Sequence, residues 1–222
     1  MTKLFNRALE LKMMENDVKE WLRRDGESFL KNIGIKESHV VLDFGCGVGH
    51  YTIPVAKVVG EEGKVFAIDK DKEALDGLME RAKLDGLKNI KRIEISGELK
   101  ITLEEESVDV ALLYDVLHYI KERKTVFDEV YRILKPGALL SVYPKHHKSD
   151  DPLWTFANME LEDVIKEIER AGFCFERKAF KKLIHDDNYD EGYILSFRKK
   201  EETVAIDEHR FSKRQNTNDI KA

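Results

Sequence analysis

The sequence predicts an α/β protein built on a doubly wound, mostly parallel sheet of seven strands. Three observations carry that expectation. Short apolar or β-branched runs alternate with helical periodicities from Ile35 onward. A glycine-rich loop follows the first of these runs. The last two runs have no helical pattern between them.

The runs are "HVVLDF", "KVFAID", "IKRIEIS", "VDVALLY" and "ALLSVY", each the length of a strand buried on both faces. Between them, "DKEALDGLMERAKLDG" repeats Leu75, Leu78 and Ala82 at helical spacing and stops near Gly86. "TVFDEVYRILKPG" places Phe127, Val130, Tyr131 and Leu134 on one face, with Pro136-Gly137 as its end. "NMELEDVIKEIERAG" does the same with Leu161, Val164, Ile165 and Ile168, capped by Asn158 and stopped at Gly172. Strands alternating with helices form a parallel sheet. After Gly172 the pattern changes. "FCFERKAFKKLI" and "GYILSFRKK" are joined only by the polar "HDDNYDE", and so short a connection requires an antiparallel hairpin.

Residues 1–36 read as an N-terminal helical lid or cap. One apolar stripe there comprises Leu4, Ala8 and Leu11. A second comprises Val18, Trp21, Leu22, Phe29, Leu30 and Ile33, interrupted at Gly26. The main domain spans residues 37–200. Residues 201–222 have little hydrophobic pattern and read as a mobile tail.

Composition narrows the partners. The chain has 222 residues, 42% of them hydrophobic, enough for one domain with a core. A net charge of -5 argues against nucleic acid as the general partner. "RKAFKK" and "KHHK" leave local basic spots open to RNA or an anionic small molecule. No apolar run approaches the roughly 18 residues of a membrane span. The charged start lacks the apolar centre of a signal peptide. With two cysteines, Cys46 and Cys174, neither a disulfide framework nor a thiolate zinc site is expected. These features predict a cytoplasmic protein.

The loop in "VVLDFGCGVGHYT" follows Asp43 and holds Gly45, Gly47 and Gly49. It lies at the carboxyl edge of the sheet, where ligands of such folds bind. A dinucleotide loop reads G-x-G-x-x-G, but His50 stands where its third glycine belongs. The phosphate-loop ending is absent. Asp69 ends the second strand 24 residues after Gly45. A carboxylate there can accept hydrogen bonds from both hydroxyls of a ribose, or it can cap the helix that follows. Loop and carboxylate together indicate a ribose-bearing ligand.

"VVLDFGCGVGHYT", "VFAIDKDKEAL", "VDVALLYDVLHYI" and "VYRILKPGALLSV" resemble the successive motifs of class I S-adenosylmethionine-dependent methyltransferases. The likeness is strongest to the small-molecule branch of ubiquinone/menaquinone-biosynthesis type and runs from about Ile35 to Lys199. It implies a Rossmann-like seven-stranded sheet ending in a hairpin, with S-adenosyl-L-methionine as cofactor and a small molecule as methyl acceptor. It also implies that Gly45, Cys46 and Gly47, steered by Asp43, hold the methionine part. Asp69 would hold the ribose and Lys70 would lie beside the adenine, with Asp115 also at the cofactor. Gly97 falls where the family commonly has an aspartate on the adenine amine, so Glu98 and Leu99 become the candidate contacts. Cys46 reads as a small loop residue rather than a nucleophile.

Methyl transfer from a sulfonium needs alignment above all, and a general base only where the acceptor must lose a proton. Candidate bases follow the fourth and fifth strands: Tyr114 and His118 in "YDVLHYI", and His146 in "YPKHHKSDD". The absence of a D/N-P-P-Y/F motif, and of a cysteine after the fourth strand, disfavours methylation of nucleic-acid bases. A metal site from His146, His147, Asp150 and His185 is conceivable, but none is expected. A cofactor-binding module without turnover, a methyltransferase acting on RNA or protein, and a nicotinamide-dependent oxidoreductase remain as alternatives.

Overall fold

The computed structural model describes residue 14 and residues 16–95, 100–147 and 158–201. The stripe at Leu4, Ala8 and Leu11, the adenine candidates Gly97, Glu98 and Leu99, Asp150, and the tail beyond residue 201 lie outside the described residues.

The seven strands are β1 (Val40–Phe44), β2 (Lys64–Asp69), β3 (Ile90–Glu94), β4 (Val108–Tyr114), β5 (Leu134–Tyr143), β6 (Phe173–His185) and β7 (Asn188–Lys199). They form one sheet in the order β3-β2-β1-β4-β5-β7-β6. The first five run parallel, and β7 inserts antiparallel between β5 and β6. Both the parallel core and the terminal hairpin are as the sequence predicts.

Helices cover both faces: α1 (Gly26–Ile33), α2 (Thr52–Val59) and α3 (Lys72–Leu84) on one, α4 (Arg123–Ile133) and α5 (Leu161–Arg170) on the other. The period-two alternation of the strands divides the core accordingly. Val110, Leu112 and Tyr114 of β4 join the first layer, and Ala111 and Leu113 join the second. Leu75, Leu78 and Ala82 are the buried stripe of α3, as their spacing requires. β1 has β2 on one side and β4 on the other, so the chain reverses its winding direction there. A crevice opens at the carboxyl ends of strands at such a point.

Four local expectations are corrected. The first helix is not interrupted at Gly26. A π-turn at Trp21–Asp25 runs directly into α1. Glycine is needed because a Cβ there would lie 2.8 Å from Pro54 Cγ and 2.9 Å from the Trp21 carbonyl oxygen. Next, α4 ends at Ile133, before Pro136-Gly137, because Leu134 already pairs with Val108 and a bulge absorbs the residues up to Leu139. Third, α5 is capped by Glu160 and Asp163, which accept each other's backbone N–H in a capping box, rather than by Asn158. Fourth, the hairpin linker is only Asp186 and Asp187, with φ of +45° and +65°. Two left-handed residues form the tight turn whose twist matches that of the strands, so both strands extend to the tip.

Candidate active site

The glycine loop begins where β1 ends. The Gly45 and Cys46 N–H groups both donate to the Ile68 carbonyl, at 2.8 and 3.0 Å, which ties the loop to the end of β2. Gly45 has φ of +78°, and a Cβ on it would come within 2.4 Å of Val116 Cγ2. Gly47, at φ +50°, differs: a Cβ there would meet nothing within 4 Å. One glycine lets the loop pass Val116, just beyond β4, and the other leaves backbone open to a ligand.

Asp69 is oriented by that backbone. The Gly47 N–H donates to its Oδ2 at 2.7 Å and the Asp71 N–H to its Oδ1 at 2.9 Å. Each carboxylate oxygen keeps a further lone pair for a ligand hydroxyl. Capping of α3 falls to Asp71, whose side chain accepts from the Glu73 and Ala74 N–H groups. Asp71→Ala should therefore lower stability by about 1 kcal/mol, read by urea unfolding, with Asp69 left in place.

A cavity of about 600 Å³ opens beside the loop, lined among others by Gly45, Gly47, Asp69, Lys70, Asp115 and Tyr119. Lys70 Nζ lies 5.8 Å from the centroid of the Tyr119 ring. Asp43 and Cys46 lie behind the loop. Asp43 is 2% exposed and accepts the Thr52 hydroxyl at 2.6 Å. Burial raises its pKa to about 6, against the Thr52 hydrogen bond that lowers it. Cys46 is buried, and burial together with the charges of Asp43 and Asp69 pushes its thiol far up, which suits a loop-lining residue rather than a nucleophile.

Asp115 joins the cavity to a cluster of imidazoles. Its backbone is left-handed, with φ of +54°. Its Oδ2 lies 2.6 Å from His185 Nδ1, and its Oδ1 lies 3.7 Å from both His118 Nδ1 and His146 Nε2. The rings of His118 and His146 meet edge-on at 4.5 Å, and those of His146 and His185 at 5.2 Å. His118 sits on a 3-10 turn, Leu117–Tyr119, and its burial pulls its pKa down to about 4. At His185 burial acts in the same direction, but the hydrogen bond and charge of Asp115 outweigh it, and the pKa rises.

Of the proposed bases, His118 and His146 therefore meet at Asp115. Tyr114 does not: its ring packs among Phe29, Tyr51 and Tyr143, its hydroxyl bonds Ser141 Oγ at 2.8 Å, and burial raises its pKa. The hairpin tip supplies residues that the loop motifs do not reveal. His185 bonds Asp115, Asp186 lines the cavity, and Asp187 pairs with His50 at 3.1 Å. Their signal was the "HDD" between the last two strands, legible only once the turn shrinks to two residues.

A methyltransferase domain family matches residues 35–192. The chain belongs to that family. Demethylmenaquinone methyltransferase of Geobacillus stearothermophilus is 28% identical over 110 residues, 50% of this chain and 47% of that protein. The enzyme of the same name from Staphylococcus aureus (strain MRSA252) is 27% identical over 122 residues, 55% and 48% of the two chains. The chain thus spans about half the length of the curated relatives it matches. The crystal structure of a SAM-dependent methyltransferase from Aquifex aeolicus matches with a TM-score of 0.67 and 29% identity, over 85% of this chain and 97% of that one. The [4+2]-cyclase SpnF matches at 0.63 with 18% identity, covering 80% and 81%, and bears on the fold alone. This methyltransferase domain is thus of the class I, S-adenosylmethionine-dependent kind, with relatives of the menaquinone type. Among the described residues no helix is long and apolar enough to cross a membrane.

Proposed function

We propose that the protein transfers a methyl group from S-adenosylmethionine to a small, partly apolar molecule. The observation that supports this most is the cavity bordered by Gly47, Asp69 and Asp115, where a nucleoside-type cradle meets the carboxylate around which the imidazoles gather. The residues fit the cofactor: Gly47 leaves room at its α-carbon, and Asp69 offers aligned acceptors to vicinal hydroxyls. Once bound, the cofactor would supply a sulfonium-activated methyl group for an acceptor's lone pair, with its own sulfur as the leaving group. Lys70 borders the adenine side. The loop backbone at Gly45 and Gly47 holds the amino-acid part, with Asp43 behind it as a buried carboxylate. Asp115, His118, His146 and His185 face the acceptor, and an imidazole there can take its proton when the nucleophile is a hydroxyl or an activated carbon. The named relatives are demethylmenaquinone methyltransferases, which favours a small aromatic or quinol-like acceptor here.

Asp69→Ala should weaken S-adenosylmethionine binding by about 1–3 kcal/mol, the cost of losing hydrogen bonds to a charged acceptor. Calorimetric titration of wild type and variant reads it, and equal affinities would remove Asp69 from the cofactor site. The acceptor class is tested with methyl-labelled cofactor and a cell extract separated into small-molecule, RNA and protein fractions. Label in the small-molecule fraction is expected. Label in RNA or protein alone, or cofactor binding with no transfer, would overturn the reading.

A further inference from the structure

We propose that Asp115, His118 and His146 form a binding site for a divalent first-row transition ion of the zinc class. This inference stands on the donor set and does not depend on the methyl-transfer reading. The three residues each offer one donor atom, and these atoms lie within 4.8 Å of one another. Asp115 Oδ1 is 3.7 Å from a ring nitrogen of each histidine. Donors around a tetrahedral zinc at its usual bond lengths are roughly 3.3–3.5 Å apart, so the two carboxylate–imidazole pairs need contract by only a few tenths of an ångström and the two histidines close by rotating their rings. Asp115 Oδ1 is buried and has no hydrogen-bond partner among the described residues, an arrangement that costs free energy unless a cation takes it up.

The donor chemistry selects the ion. Two imidazoles and one carboxylate suit zinc, iron(II), cobalt(II) or nickel(II), whereas magnesium and calcium prefer all-oxygen shells. Three protein donors also leave positions open, as at metal sites that bind a further ligand. Asp115 also lines the large cavity, which puts the site at the cavity's edge.

The surroundings behave as support for a ligand set. His185 Nδ1 holds the other oxygen of Asp115 at 2.6 Å, which fixes the carboxylate and leaves Oδ1 directed at the histidines. Supporting residues of this kind orient ligands at metal sites. Asp115 and His146, neither of them glycine, both adopt left-handed backbone, with φ of +54° and +64°. Such conformations persist where the surroundings over-determine them, and they cluster at functional sites. The donors come from the ends of β4 and β5 and the turn after β4, a rigid frame.

The untagged full chain, stripped with EDTA and dialysed, is titrated with Co²⁺ and followed by visible d–d absorption. One ion per chain is expected, with bands of a nitrogen-coordinated, low-symmetry site. His118→Gln and His146→Gln should each weaken binding by at least 10-fold. His185→Gln should weaken it roughly 10–100-fold, as loss of a supporting residue does. His39→Gln, at the opposite edge of the sheet, should leave it unchanged. Far-UV circular dichroism checks folding. Should a variant unfold, Zn²⁺-induced shifts of the histidine ring nitrogens in wild-type protein decide, with His118 and His146 expected to move and His39 not. Absence of Co²⁺ bands at millimolar ion, unchanged affinity in the folded His118 and His146 variants, or no ring-nitrogen shift would overturn the proposal.

Discussion

Replacing Trp21 with alanine lowers the unfolding free energy by about 3–5 kcal/mol, the range for removing a large buried aromatic. Trp21 is 1% exposed. Its ring packs on Phe29 and Tyr51 at 5.4 Å and on Tyr189 at 6.4 Å. Its indole N–H donates to the His50 carbonyl at 2.8 Å, so one side chain bolts the N-terminal helix to the end of the glycine loop. Further contacts reinforce the joint. Tyr189 donates its hydroxyl to Asp25 at 2.7 Å and its N–H to Asp17 at 3.0 Å. Tyr51 donates to the Ile184 carbonyl at 2.7 Å, one residue from His185. The helix is thus coupled to both halves of the site. Urea unfolding measures the loss. A shift below about 1 kcal/mol would mean that the helix is only loosely attached, and the variant's cofactor affinity should fall along with its stability.

The second large effect is a pH dependence. Burial holds the Asp43 pKa at about 6 in the folded chain, above its ordinary 3.8, and the nearby Asp69 charge acts in the same direction. Between those values the folded chain keeps a proton that the unfolded chain releases. Stability from this group is therefore full below about pH 4 and lost as pH rises to about 6. At 1.36 kcal/mol per pKa unit the loss amounts to about 3 kcal/mol. Asp43→Asn keeps an acceptor for the Thr52 hydroxyl but removes the ionisation. Relative to wild type, the variant should gain about 2 kcal/mol between pH 4.5 and pH 7 in urea unfolding. Parallel pH profiles would show Asp43 to be solvated or paired with a cation. An acid kept here at such cost has its use in the charge it places behind the glycine loop at neutral pH.

Much of this architecture was legible in the residues. The apolar run "VDVALLY" and the stripe of Leu75, Leu78 and Ala82 fix sheet and helix, because a strand buried on both faces and a helix buried on one leave little other choice. The hairpin followed from the missing helix after Gly172. Boundaries were less legible, because they rest on tertiary pairing. Leu134 reads as helical by spacing yet joins the sheet, and Gly26 reads as a break yet is the thin point at which the helix meets Pro54.

The proximity of the glycine loop and Asp69 was readable because they sit on consecutive strands, where chain order determines proximity. The cluster around Asp115 was less so. Asp115 and His185 meet across 70 residues through the antiparallel return of the hairpin, and no local pattern encodes that contact. Nor does spacing reveal that Asp115 and His146 turn left-handed to face each other. Tyr114 shows the reverse case: its position at the strand end suggests a site residue, but strand parity sends its ring into the layer beneath the first helix.

The central claim is that this crevice holds S-adenosylmethionine at the Gly45–Gly47 loop and Asp69. Isothermal titration of the full chain with the cofactor tests it most directly. The account predicts saturable binding of one cofactor per chain, weakened in Asp69→Ala and unaffected by reduced nicotinamide dinucleotide as competitor. No binding at millimolar cofactor, or displacement by the dinucleotide, would contradict it.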